Sequence, residues 1–164
     1  MQLAAASGVR VVAVCSERNI GAVKGLGAYE VVDYNSPNAT KDIISALKGT
    51  EYLGVADCIS TAESAKGWTP IFKELGGRFA GVMPDAPGIP AGAQGDILYA
   101  PTVAFDDREI GEKVWGEWVP KALESQQLQA VPPPRVVGRG LESLQQAIDI
   151  QKAGVSYEKI VVEL

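Results

Sequence analysis

Ser16, Arg18 and Asn19 stand together in the tetrad Ser16-Glu17-Arg18-Asn19, directly after the apolar run Val11, Val12, Ala13, Val14 and Cys15. Two short hydrogen-bonding side chains and one guanidinium suit a phosphate monoester. Ser16 and Asn19 supply single donors, and Arg18 supplies a bidentate pair. Glu17 carries the opposing charge in the middle of the set. The alternative is structural: Ser16 caps the helix that follows, and Arg18 is a solvated first-turn residue.

Other chemistry is limited by what the chain lacks. There is no histidine, so Ser-His-Asp and Cys-His mechanisms in their ordinary form are excluded, and acid–base work falls to carboxylates, Tyr, Lys, Cys or the substrate itself. Two cysteines without histidine give no zinc set, and no metal is expected. Cys15 and Cys58 both lie in apolar strand patterns and read as buried reduced thiols. Polar handles for a catalytic site are Asp85, Asp96 and Tyr99, and nothing in the pattern selects among them. Trp68, Trp115, Trp118, Tyr99 and Phe105 are candidate cavity walls, although each taken singly reads as a core or connector residue.

On either reading the tetrad needs elements to hold it. Residues 9–15 form a nearly continuous β-branched and apolar run, the pattern of a parallel strand buried on both faces. Ile20, Val23 and Leu26 follow at helical spacing until Gly27 stops the helix, and a strand resumes over residues 29–34. Strand, helix, strand with tight connections is the grammar of a doubly wound sheet. In that sheet the tip after the second strand meets the adenosine ribose, and the tetrad there is closer to a phosphoadenosine pocket than to a plain ribose one.

The rest of the chain continues the alternation. A helix is expected over residues 39–47, stopped at Gly49, and a buried strand over residues 53–59. Ser60 and Glu63 have capping-box spacing, and Trp68, Ile71, Phe72 and Leu75 make one apolar helical face that Pro70 kinks or restarts. Gly76-Gly77 turns into a strand over residues 78–83. Residues 84–101, rich in proline and glycine, read as an irregular loop at a strand's carboxyl end, either a lid or a solvated connector. Residues 99–105 could re-enter the sheet. Asp106 or Asp107 could cap a helix carrying Ile110, Val114, Trp118 and Leu123. Residues 131–134 read as an extended spacer, Leu141, Leu144, Ala147 and Ile148 as the inward face of a helix ending near Gly154, and residues 159–164 as a closing strand.

With 164 residues and 46% hydrophobic content, one domain over residues 1–164 is expected. The net charge of −5 offers no basic cluster for a nucleic-acid backbone. Neither a signal peptide nor an apolar run of membrane-spanning length is visible, which leads to a cytoplasmic protein with no membrane partner and a small-molecule substrate.

Several motifs together carry a family resemblance. Lys24-Gly25-Leu26-Gly27-Ala28 followed by Val32-Asp33-Tyr34, then Asp57-Cys58-Ile59-Ser60 and Gly76-Gly77-Arg78-Phe79, and above all Gly140-Leu141-Glu142 with Gly154-Val155-Ser156-Tyr157-Glu158-Lys159-Ile160-Val161-Val162, resemble medium-chain dehydrogenases and reductases of the zinc-free enoyl and quinone reductase type. The nearest flavour is that of fungal enoyl reductases acting in trans with polyketide synthases. The resemblance is weak over residues 84–139. It implies NADPH as cofactor, with Ser16 and Arg18, beside Asn19, at the 2′-phosphate and Tyr34 next to the adenosine. It further implies that residues 58–60, Ser60 included, line the cofactor's middle, that residues 81–83 approach the nicotinamide, and that Met83, Thr102 and Val103 lie toward the substrate.

Set beside that family, the sequence lacks counterparts of the GroES-like domain and of the first strand with its glycine-rich, pyrophosphate-cradling turn. The fold expected is therefore an incomplete Rossmann-like, doubly wound, mostly parallel sheet with helices on both faces. Its strand order would be 3-2-4-5-6 plus a closing strand, unless another chain fills the gap and makes a homo-oligomer. Without the pyrophosphate anchor the NADPH site would be vestigial. The expectation leans to a reductase-derived, non-redox enzyme of polyketide-type metabolism, such as a cyclase or isomerase with an apolar cavity. An NADPH-dependent reductase half needing a partner, and a non-catalytic binding remnant, are the alternatives.

Overall fold

The computed structural model describes residues 1–83 and 93–164. They form two compact units, Met1–Trp118 and Val119–Leu164. The first unit opens with helix α1 (Gln2–Ala6), strand β1 (Val12–Cys15), a 3-10 turn (Glu17–Asn19), helix α2 (Ile20–Lys24) and strand β2 (Glu30–Asp33). Helix α3 (Ala39–Leu47), strand β3 (Gly54–Asp57), helix α4 (Ala62–Leu75) and strand β4 (Arg78–Gly81) continue the alternation, and strand β5 (Gln94–Ile97) follows. A 3-10 turn (Ala100–Ala104), helix α5 (Arg108–Gly111) and a π-helical segment (Glu112–Trp118) complete the unit.

All the ladders are parallel, as expected of a chain that alternates strand and helix. β1 runs beside β2 with Val12 opposite Glu30 and Cys15 opposite Asp33. β4 lies between β3 and β5, with Ala80 opposite Ala56 on one side and Asp96 on the other. The expected direct pairing of β1 with β3 does not form: the unit holds a two-stranded ladder β1-β2 and a three-stranded ladder β3-β4-β5. What joins them is a helical core. Val32 of β2, Ile43 and Ile44 of α3, and Ile71 of α4 form one buried cluster, with Val12 and Val14 of β1 packed against it. Phe72 of α4 then meets Phe79 of β4 edge to face at 6.2 Å between ring centres. Packing of this kind fixes the two ladders without backbone hydrogen bonds between β1 and β3.

Three local expectations are corrected. The capping box at the start of α4 is Thr61 with Ser64, not Ser60 with Glu63: Ser64 N–H donates to Thr61 Oγ1 at 3.2 Å, and Thr61 N–H donates to Ser64 Oγ at 2.8 Å. Ser60 is unavailable because its backbone has turned left-handed, with φ +52°. α4 also runs unbroken through Pro70. That proline is on the solvent side, where water can satisfy the carbonyl it leaves unpaired. Finally, the strand that follows β4 is Gln94–Ile97, inside the span expected to be irregular, whereas residues 100–104 form a 3-10 turn. Pro101 has no N–H to give a ladder, and its fixed φ suits the first turn of a helix.

The second unit contains helix α6 (Val119–Glu124), strand β6 (Pro134–Arg139), a 3-10 turn (Leu141–Ser143), helix α7 (Leu144–Ala153) and strand β7 (Lys159–Glu163). β7 is the expected final strand, and its partner is β6. β6 itself replaces part of the expected spacer, with Pro134 at its first position, where a missing donor is tolerated. Leu141, Leu144 and Ile148, expected to face inward, are 69%, 45% and 47% exposed. A two-stranded ladder is too narrow to cover a whole helical face.

Candidate functional site

In a parallel α/β sheet the carboxyl ends of the strands are where ligands bind, and here those ends carry two distinct clusters. At the ends of β1 and β2, the Tyr34 N–H donates to the Cys15 carbonyl at 3.1 Å. This bond ties the residue after β2 to the residue before Ser16. Ser16 occupies the N-cap position of the 3-10 turn with an extended backbone, yet its side chain makes no capping hydrogen bond. The structural role expected of it is thus not the one it has, and its hydroxyl is left to other partners. Arg18 is exposed in the same turn, and among the described residues it makes no salt bridge. Asn19 is half-buried and already engaged. The Tyr34 side chain is 59% exposed.

The same ends exclude one form of chemistry. Burial, followed by the nearby Asp33 carboxylate, pushes the Cys15 thiol above its ordinary value of 9.0. It stays protonated at neutral pH and is a poor nucleophile. Asp33 is itself occupied locally, accepting the Asn35 N–H at 3.0 Å.

The second cluster closes the end of β3. Asp57 is only 3% exposed, and its Oδ1 accepts the N–H groups of Ile59 at 2.9 Å and Ser60 at 3.0 Å. Burial pushes the carboxyl up. The Ser60 N–H, the Ser64 hydroxyl, the Ile59 N–H and the Trp68 indole together outweigh it, so the group lies below its ordinary value of 3.8. Oδ2 and the Trp68 Nε1 are buried and neither closes a hydrogen bond, so the indole acts on the carboxylate as a neighbouring dipole. Ser60, 6% exposed, donates its hydroxyl to the Asp57 carbonyl at 2.8 Å and accepts the Val82 N–H at 3.0 Å. Its hydroxyl is committed on both sides, so Ser60 shapes the turn and has no free donor for a ligand. The cysteine in that turn, Cys58, is exposed, contrary to the expected buried thiol. Ile59, the next residue, is 67% exposed, and Met83, beyond the end of β4, is 49% exposed.

Asp57 was not among the expected site residues. An aspartate closing an apolar strand and followed by Ser three residues later is the signature of an Asx-type turn, and that signal could have found it.

The remaining candidates are dispersed. Asp85 lies outside the described residues. Asp96 is in β5, opposite Ala80. Tyr99 precedes the 3-10 turn at 71% exposure, and its carbonyl accepts the Thr102 N–H at 3.1 Å. Thr102 and Val103 are within that turn, whose Thr102 carbonyl accepts the Asp107 N–H at 2.8 Å. The aromatic wall does not assemble: Phe105 and Trp115 are 75% and 65% exposed, while Trp68 packs against the core of α3 and α4. An open trough of about 340 Å³ does exist over β3, β4 and β5, but Leu53, Val55, Phe79 and Leu98 line it instead.

No protein-family model matches the chain. Individual relatives do. The chain is 34% identical over 166 residues to the dehydrogenase orsE of Emericella nidulans, an alignment covering 99% of this chain and 46% of that protein. It is also 34% identical over 166 residues to the trans-enoyl reductase himH of Aspergillus japonicus, covering 100% of this chain and 48% of the relative. Over its whole length the chain is thus similar to fungal dehydrogenases and trans-enoyl reductases. It spans about half the length of the curated relatives it matches. The fold is shared with solved reductases. The CurK enoyl reductase superimposes with a TM-score of 0.72 at 15% identity, over 99% of this chain and 49% of that one. Among the described residues, no helix of the chain is long and apolar enough to cross a membrane.

Proposed function

We propose that the chain is the dinucleotide-binding half of an NADPH-dependent enoyl reductase-type enzyme acting on polyketide-like substrates. One observation carries the reading: Ser16 and Arg18 follow β1 and Tyr34 follows β2, whose ends the bond from the Tyr34 N–H to the Cys15 carbonyl joins, and the protein itself uses neither the Ser16 hydroxyl as a cap nor Arg18 in a salt bridge among the described residues. A 2′-phosphate fits such a set. Arg18 provides a bidentate cation, Ser16 a single donor, and Tyr34 an exposed ring beside the adenosine. NADPH would supply hydride; this chain's residues bind and orient its adenosine end. Glu17, exposed beside Arg18, opposes the phosphate and limits its affinity.

A second reading has its own support in the apolar trough over β3, β4 and β5. A polyketide-like chain held there in a reactive conformation could cyclise or isomerise without nicotinamide. We also propose that the free edges of β1 and β3 support association of two copies.

Titration of the chain with NADPH and NADH separates the readings. Under the first, NADPH binds more tightly than NADH, and R18A removes that preference, weakening NADPH by about tenfold to a hundredfold, the scale of a lost charge-assisted contact. Equal affinity for the two cofactors, or an R18A chain that keeps the preference, would sink the reductase reading. Turnover of a polyketide-like substrate without nicotinamide would establish the second.

A further inference from the structure

Of the 10 prolines in the sequence, only two directly follow a hydroxyl residue, in Ser36-Pro37 and Thr69-Pro70. Such pairs are what proline-directed protein kinases read, and the structure separates the two. Thr69 is half-buried inside α4, and its hydroxyl donates to the Ala65 carbonyl at 2.9 Å. To offer that hydroxyl, α4 would have to unwind beside Ile71, which has no exposed surface. Ser36 lies instead in the turn between β2 and α3, among the exposed residues Tyr34, Asn35, Pro37 and Asn38. Its hydroxyl accepts the Asn38 N–H at 3.2 Å and donates to no acceptor among the described residues.

The hydrogen bonds of residues 35–38 are local. The Ser36 N–H donates to the Asp33 carbonyl at 3.1 Å, the Asn35 N–H to the Asp33 carboxylate at 3.0 Å, and the Ala39 N–H to the Ser36 carbonyl at 3.0 Å. Bonds confined to a few exposed residues open at little cost compared with those of a core. The turn can therefore present Ser36 to another enzyme while Val32 before it and Ile43 and Ile44 after it stay buried.

The place of the turn gives that hydroxyl a consequence. Asp33, which anchors it, ends β2 opposite Cys15 of β1, and Ser16 and the turn carrying Arg18 follow Cys15. The bond from the Tyr34 N–H to the Cys15 carbonyl joins the two strand ends. A phosphate ester on Ser36 adds about −1.5 to −2 charge at neutral pH, beside strand ends that already carry Glu17 and Asp33. A second phosphate is repelled there, and a neutral ribose hydroxyl is not.

We infer that Ser36 is a phosphorylation site for a proline-directed protein kinase, and that its phosphate weakens binding of a 2′-phosphorylated adenosine at the neighbouring ends of β1 and β2. The γ-phosphoryl group of ATP passes to Ser36 Oγ, its bond to the departing ADP breaks, and the hydroxyl proton goes to a base of the kinase. The effect on the cofactor rests on the reductase reading above. The modification itself rests only on the Ser36-Pro37 pair and its exposure.

The two parts are tested in sequence. The full chain is incubated with ATP and a mitogen-activated protein kinase, and phosphate is located by peptide mass spectrometry. Phosphate is expected on Ser36 of the unaltered chain, with none on Thr69 and none on the Ser36→Ala chain. The phosphorylated chain, and Ser36→Glu as a singly charged mimic, are then titrated with NADPH and NADH, with thermal unfolding as a check that both are folded. NADPH affinity should fall about tenfold on phosphorylation and about threefold in S36E, while NADH affinity stays within about twofold. The NADPH loss should shrink in about 1 M salt, where charges are screened beyond about 3 Å. S36A should bind both cofactors as the unaltered chain does. Absence of phosphate on Ser36, or its appearance on Thr69 instead, would overturn the site. Unchanged NADPH affinity after phosphorylation, or equal losses for the two cofactors, would overturn the cofactor effect while leaving the reductase reading in place. An unmodified chain with no preference for NADPH would remove that reading and the cofactor effect with it, and the mass spectrum alone would then decide the site.

Discussion

Asp57 is a buried side chain whose neighbours favour its charged form. Its carboxyl lies below its ordinary value of 3.8 because the hydrogen bonds and dipoles around it outweigh the burial that opposes charge. A group depressed in the folded state stabilises fully above its unfolded value, and that contribution is lost as pH falls through the folded value. Unfolding measured at pH values on either side of 3.8 should therefore find D57N less stable than the unaltered chain by about 1–3 kcal/mol at neutral pH, with the gap narrowing in acid. A gap that stays constant with pH would mean the charge contributes nothing. Ser16 and Arg18 stand out in the sequence as candidates because they follow directly from the strand–helix–strand pattern, and Tyr34 does so through the family resemblance. Asp57 and Ser60 were harder to assign because the role of Ser60 depends on the Val82 N–H, and spacing within a single turn does not reveal that bond.

At the scale of elements, α4 links the two ladders of the first unit. Ile71 has no exposed surface and lies in the cluster with Val32, Ile43 and Ile44, while the next residue, Phe72, reaches Phe79 of β4. Removing its side chain leaves a cavity that neighbours on three elements would have to close. Ile71→Ala should cost about 2–5 kcal/mol in chemical denaturation, against about 1 kcal/mol for Thr61→Ala at the cap. Similar small losses for both would show that α4 is held by its cap and not by its packing. The apolar spacing of Trp68, Ile71, Phe72 and Leu75 made this helix legible before its surroundings were known. The position of β5 was not legible, since Gln94, Gly95 and Asp96 are poor strand formers. They are drawn into the ladder by β4, whose Arg78 and Gly81 face Gln94 and Ile97 in parallel register, a tertiary demand that local propensity does not contain.

The molecule as a whole leaves backbone groups in search of partners. Among the described residues β1 is paired only with β2, and β3 only with β4, so each has one edge without a ladder partner there. An unpaired parallel edge exposes a row of N–H and C=O groups that another strand can satisfy. The sequence anticipated these edges from the strand grammar but allowed β1 and β3 to close on each other; the helical core of Val32, Ile43, Ile44 and Ile71 instead supplies cohesion without that pairing. Association through the edges should depend on concentration and on backbone pairing more than on charge, because Val12, Ala13, Val14 and Cys15 give β1 no charged side chain to repel a neighbour. Light scattering across a micromolar concentration series should find a mass that rises toward twice that of the chain. Val14→Pro should return it to the single-chain mass, since a missing donor blunts an edge. Circular dichroism would confirm that this variant keeps its fold. A single-chain mass at every concentration for the unaltered protein would refute association through these edges.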